Sequence, residues 1–141
     1  MIISKIEDME RLEKLEELIL ELRELSESGA IIVVEGRKDM ESLRFLGING
    51  EIKLASQQPL IEFTESLSKS GKKIVLLTDW DKKGRVVAGK IIKHLSAYGI
   101  MPNIDVRLRL RGLSKKRIKD IESLNNYVNK LRYEIHGIQS F

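Results

Sequence analysis

Apolar residues recur along this chain with two alternating rhythms. From Lys5 to Glu27, Ile6, Met9, Leu12, Leu15, Leu18, Ile19, Leu22 and Leu25 fall at three- and four-residue spacings, with acids on the other face. That pattern predicts an amphipathic helix, which Ser28-Gly29 brings to a stop. Ala30-Ile31-Ile32-Val33-Val34 and Ile74-Val75-Leu76-Leu77 are unbroken apolar runs, as in strands buried on both faces. Glu51-Ile52-Lys53-Leu54-Ala55 alternates somewhat and predicts a short strand nearer an edge. Met40, Leu43 and Leu46 give a short helical face closing at Gly47. Pro59 suits the first turn of a helix with Leu60, Phe63 and Leu67 inward. Gly84 to Tyr98 predicts another, with Val87, Ile91, Ile92 and Leu95 apolar, ending at Gly99. Ile104, Val106, Leu108 and Leu110 then alternate with Asp105, Arg107, Arg109 and Arg111, predicting a fourth strand with one wet face. Ser114 is the expected cap of a last helix whose stripe is Ile118, Ile121, Leu124, Val128 and Leu131.

One helix followed by four strand–helix repeats defines an α/β three-layer domain with a mostly parallel, four-stranded sheet. The first helix, residues 1–28, is expected to pack on that domain, or else to pair with a second copy as a coiled-coil seam. A basic helix and tail make up residues 113–141.

Composition sharpens the functional class. The 141 residues hold no cysteine, which excludes disulfides and thiolate metal sites. No apolar run approaches the roughly 20 residues that cross a bilayer, so a cytoplasmic protein is expected. Net charge is +4 and unevenly spread. Residues 1–28 carry four Lys/Arg against nine Asp/Glu, while residues 29–141 carry 21 against 12. A basic body with acids concentrated at one crevice suits a polyanion held near a metal.

Those acids close the two buried runs: Glu35 follows the first, and Asp79-Trp80-Asp81 the second. Residues just past such strand ends line the ligand crevice of open α/β sheets. If the two strands are neighbours, their ends lie about 5 Å apart and three carboxylates can converge on one cation. Otherwise Asp79 and Asp81 only turn the chain and cap the next helix. An all-oxygen set without Cys or a suitably placed His points to Mg2+ or Mn2+. Gly36 would admit a ligand close to the backbone, and Gly84-Arg85 leads into a helix N-terminus, a seat for phosphate.

Val34-Glu35-Gly36-Arg37-Lys38-Asp39 and Thr78-Asp79-Trp80-Asp81-Lys82-Lys83-Gly84 together resemble the two signature blocks of the Toprim domain. Type IA topoisomerases, bacterial-type primases, the ribonuclease that matures 5S ribosomal RNA, overcoming-lysogenisation nucleases and recombination mediators share that domain. The resemblance covers roughly residues 29–112 and is nearest in motif style to small stand-alone archaeal members and the 5S-maturing ribonuclease. It implies a Rossmann-like sheet of strand order 2-1-3-4, Glu35 as general acid/base, and Mg2+ on Asp79 and Asp81. Asp39 matches an acidic position that supports the site. Several members carry a third acid where this chain has Lys83, which leans toward one well-held ion.

The implied chemistry is phosphodiester cleavage or transfer on RNA or DNA, with a nuclease on structured RNA the leading form. The alternatives are a non-catalytic binding module and an aspartyl-phosphate phosphatase, the latter disfavoured because no Thr follows Asp81. No Tyr is placed as a topoisomerase nucleophile: Tyr98, Tyr127 and Tyr133 fall on predicted helices. Arg37, Lys38, Lys82, Lys83 and Arg85 are candidate phosphate contacts or local counter-charges. Arg107, Arg109 and Arg111, expected on one strand face, and Lys115, Lys116 and Arg117 after them, are candidates for the nucleic-acid backbone or for a solvated edge. Trp80 is expected to pack over the sheet edge, with stacking on a base as the other reading. A protein partner or a homodimer is left open.

Overall fold

The computed structural model describes residues 2–114 and 116–137. Its elements are α1 (Ile2–Glu27), β1 (Ile31–Val34), α2 (Arg37–Phe45), β2 (Ile52–Leu54), α3 (Leu60–Lys69), β3 (Ile74–Leu76), α4 (Lys82–Ser96), α5 (Asp105–Ser114) and α6 (Leu124–His136), with one 3-10 turn at Ala55–Gln57. The sheet is parallel, ordered β2-β1-β3, with Ile32 opposite Ile52 and Val75. β1 and β3 are therefore neighbours although β2 comes between them in sequence, which requires crossover helices.

Strand periodicity divides the core in two. Ile32, Val34, Val75 and Leu77 pack with α1, α5 and α6 through Leu15, Leu22, Val106, Leu110 and Leu124. Ile31, Val33, Ile74 and Leu76 face the other way, onto Phe63 and Leu67 of α3 and Ala88, Ile91 and Leu95 of α4. Both strand faces are buried, hence the unbroken apolar runs. α1 seats Leu12, Leu15, Leu18, Ile19 and Leu22 in the first core, while Ile2, Ile3, Ile6 and Met9 stay exposed.

The predicted fourth strand is corrected to α5. All that remains of it is one parallel bridge, where Asn103 lies beside Val75: its N–H donates to Ile74 O at 2.8 Å, and its carbonyl accepts from Leu76 N at 2.9 Å. The chain then turns, Asn103 Oδ1 accepting the Asp105 N–H at 2.9 Å, and enters a helix that buries Val106 and Leu110. Arg107, Arg109 and Arg111 therefore share no strand face. Ser114 caps nothing; it ends α5, its hydroxyl donating to Leu110 O at 2.6 Å. The last helix begins ten residues after Ser114, at Leu124, and residues 116–123 form turns between the two helices. Pro59 is the N-cap of α3, one residue ahead of its first turn. α4 starts at Lys82, so Gly84 lies inside it, and Tyr98 falls in the turn beyond it. Lys115 and the tail over 138–141 lie outside the described residues. Among the described residues, no helix is long and apolar enough to cross a membrane.

Candidate metal centre

The register of β1 and β3 brings the two acidic strand ends together. Leu77 N donates to Val33 O at 2.8 Å, and two residues further on Asp79 N donates to Glu35 Oε2 at 2.8 Å. The first acid thus grips the backbone of the second across the strand pair. Burial, and then hydrogen bonding to the Glu35 carboxyl, pushes the Asp79 carboxyl up from 3.8 to about 8. Burial and the neighbouring carboxyl both favour the neutral form of Asp79, and a cation held there would oppose them.

Asp79 is fixed from three other directions. Its Oδ1 accepts the Ile121 N–H at 2.9 Å. Its carbonyl accepts from Arg107 Nη2 at 2.8 Å, while Arg107 Nε reaches Thr78 O at 2.8 Å. Gly84 presses on the same carbonyl: a Cβ there would stand 1.9 Å from Asp79 O. Thr78 Oγ1 donates to Gly84 O at 3.0 Å, and Gly84 N donates to Asp81 Oδ1 at 2.7 Å. Asp81 is thus the N-cap of α4, exposed to solvent with one oxygen engaged. The capping reading holds for Asp81 in this state, whereas Asp79 does no capping.

Asp39 is buried at 7% exposure and accepts the Gly36 N–H through Oδ2 at 3.0 Å. Burial raises its carboxyl above the ordinary value, with Glu35 and Asp120 adding to the effect against the Gly36 hydrogen bond. A Cβ on extended Gly36 would meet only that oxygen, at 4.0 Å, so the chain itself leaves this flank of Glu35 open.

Of the predicted cations, Arg37 and Lys38 occupy the exposed first turn of α2, with Lys38 3.9 Å from Glu122. Lys82, Lys83 and Arg85 occupy the exposed first turn of α4. Arg109 turns away from the acids to pair with Glu21 and Asp105. Lys116 and Arg117 line a groove with Glu7, Glu10, Arg11 and Lys14 of α1, apart from the acid pair. Trp80 is 8% exposed, its ring N–H bonded to Ile118 O at 2.8 Å and its backbone N–H to Lys119 O at 3.1 Å. It is a packing residue with no face for a base.

The 116–123 segment, read from the sequence as the first turns of the last helix, forms turns instead, and its part in holding the acid loop went unread. It ties to the acid loop through Ile118, Lys119 and Ile121 and brings Asp120 near Asp39. Its only sequence signal was Asp120 itself, three residues ahead of the Ser123 N–H that it binds. A surface groove of about 860 Å3 lies between α1 and α6, and none of the candidate acids lines it.

Among the described residues, no three His, Cys, Asp or Glu side chains are already drawn together around a point that could hold a metal. The donor set nonetheless fits a hard cation. Glu35 and Asp79 abut, and all their donors are oxygens, the ligand type that hard cations take.

Comparison with known proteins places this arrangement in a class. The Toprim domain model matches residues 30–108, and the chain is a Toprim-domain protein with the α/β fold of that class. Toprim domains bind divalent metal, typically Mg2+, and serve functions on nucleic acids. More particularly, the chain belongs to the UPF0292 family of small archaeal proteins. It is 46% identical to the UPF0292 protein of Methanosarcina acetivorans over 122 residues, 86% of this chain and 85% of that one. It is 40% identical to the family member of Methanocaldococcus jannaschii, covering 86% and 94% of the two chains. A solved structure of a protein from Aquifex aeolicus superposes with a TM-score of 0.66 at 29% identity, covering 76% of this chain and 94% of that one.

Proposed function

We propose that this protein performs Mg2+-dependent phosphodiester cleavage or transfer on nucleic acid, with structured RNA the first substrate to test. The observation that carries this reading is the junction of Glu35 and Asp79 at the ends of two adjacent parallel strands. Glu35 and Asp79 would hold the ion, joined by the Asp81 oxygen not engaged with Gly84. Bound there, Mg2+ or Mn2+ would neutralise phosphate charge and orient the attacking oxygen.

Glu35 would take a proton from the attacking oxygen or return one to the leaving oxygen. Asp39 holds the Gly36 N–H and so fixes the turn that follows Glu35. The open flank at Gly36 leaves room for a sugar-phosphate backbone beside the acid pair. Arg37, Lys38, Lys82 and Lys83, on the two helix starts that follow the acids, supply cations for that backbone.

Metal-dependent cutting of structured RNA and of DNA, compared between wild type and Glu35→Gln, tests the reading. Glu35→Gln is expected to lose cleavage by about a hundredfold or more while still binding the strand. Undiminished cleavage ends the assignment of Glu35.

A second reading, a non-catalytic binding module, draws on two observations. Lys83 stands at the position of a possible third acid, and one Asp79 oxygen is already bound to Ile121 N–H. Salt-sensitive binding without turnover on either nucleic acid would select it.

A further inference from the structure

α5 sorts its arginines. Arg109 is neutralised by Glu21 and Asp105, whereas Arg107 and Arg111 follow one another a helical turn apart on another side. Arg107 is buried at 6% exposure and spends its fork on two carbonyls, Thr78 O and Asp79 O. The Asp79 carbonyl is also the atom on which Gly84 is pressed, and Arg85 is the next residue of α4. Arg85 thus follows the glycine packed on that carbonyl, and Arg111 lies one helical turn beyond the arginine bonded to it.

Among the described residues, Arg85 and Arg111 make no salt bridge and no side-chain hydrogen bond, although Arg109, Arg11 and Arg132 all find carboxylates. Arg107 faces Glu35 and Asp79 as counter-charges, whereas Arg85 and Arg111 have no carboxylate of their own, and an anion bound to them would balance their charge. A guanidinium fork matches two phosphate oxygens, and its charge cannot be titrated away.

We propose that Arg85 and Arg111 form a phosphodiester subsite beside the acid pair, holding the nucleic-acid phosphate next to the one that meets Glu35 and Asp79. This rests on the proposed function and adds a direction to it: the bound strand runs from the acid pair across the α4–α5 edge. Arg107 is a positioning residue, anchoring the Asp79 carbonyl beneath that path.

Fluorescence anisotropy with the full chain in EDTA, titrating short fluorescein-labelled RNA and DNA single strands over a range of KCl, tests the subsite. The double variant R85Q/R111Q is expected to lose about tenfold in affinity per arginine. Its slope of log affinity against log salt is expected to fall by about 0.7 for each lost phosphate contact. R85K/R111K keeps the charge and is expected to retain the slope. K90Q/K93Q, altering two exposed lysines further along α4, is expected to leave both quantities at wild-type values. A loss in either the RNA or the DNA arm supports the subsite and tells which backbone it takes.

An unchanged slope in R85Q/R111Q overturns the proposal, as does an equal loss in K90Q/K93Q, which would indicate a diffuse positive field. Both arginines lack internal bonds, so the double variant should melt with wild type; should it fail to fold, R85A and R111A carry the test singly. The two layers of inference fail differently. If only the subsite is wrong, Glu35→Gln still abolishes cleavage. If wild type binds neither nucleic acid, both fall.

Discussion

At the scale of single residues the acid pair is a stored electrostatic conflict. Asp79 sits against Glu35, half buried, and its carboxyl is raised to about 8 from an ordinary 3.8, chiefly by burial and then by Glu35. The folded, metal-free chain therefore keeps a proton that the unfolded chain releases, and between those two values the folded state is the more protonated. Stability accordingly falls as pH rises through that window, and the loss is complete above about pH 8. Denaturant midpoints in EDTA at about pH 5 and about pH 8 should show it, with the midpoint lower at the higher pH. Asp79→Asn, which cannot ionise, should narrow the difference; an Asp79→Asn protein with the same pH dependence as wild type would remove Asp79 as its source.

At the scale of elements, the sequence was most legible where burial is extreme. β1 and β3 could be read because strands covered on both faces leave no room for polar residues. α5 misled because seven residues cannot separate two periods. Ile104, Val106, Leu108 and Leu110 alternate, yet Val106 and Leu110 are also four apart, and only those two are fully buried, while Leu108 is 47% exposed. The decisive signal was the start: Pro102-Asn103, with the Asn side chain binding the Asp105 N–H, opens a helix more readily than it continues a strand. The 116–123 segment left less trace still, since its ties to Trp80 and Asp79 run through backbone atoms that no residue type announces. α1 was read correctly as an amphipathic helix, and its packing allows a sharp test. Leu22, 1% exposed in the core shared with Val106 and Val128, should cost about 2–5 kcal/mol when changed to Ala. Ile6, 49% exposed on the same helix, should stay within about 0.5 kcal/mol. Equal losses from the two, measured by denaturant unfolding, would mean that α1 is seated differently from this description.

At the scale of the whole molecule, charge and topology converge on one edge of the sheet. The acids of α1 are partly consumed internally, Glu21 by Arg109 and Glu16 by Arg132. Part of the surplus of cations in residues 29–141 stands on the two helix starts beside the acid pair, with Arg107 and Arg111 on α5. The pair itself lies where β1 and β3 are adjacent without being consecutive, the switch point at which open α/β sheets take ligands. A divalent ion entering there replaces the proton on Asp79, so its binding should grow stronger as pH rises toward about 8. Because the unfolded chain has no such pair, binding adds directly to stability: about 2.7 kcal/mol at a hundredfold excess over the dissociation constant, or roughly 10 °C in melting temperature for a chain of this size. Thermal melts with Mg2+ or Mn2+ should therefore rise in wild type, more at pH near 8 than near 6, and stay flat in Asp79→Asn. A wild-type melt unmoved by either ion at millimolar concentration would leave Glu35 and Asp79 as a buried pair that shares a proton, and the cation would have to be sought elsewhere on the chain.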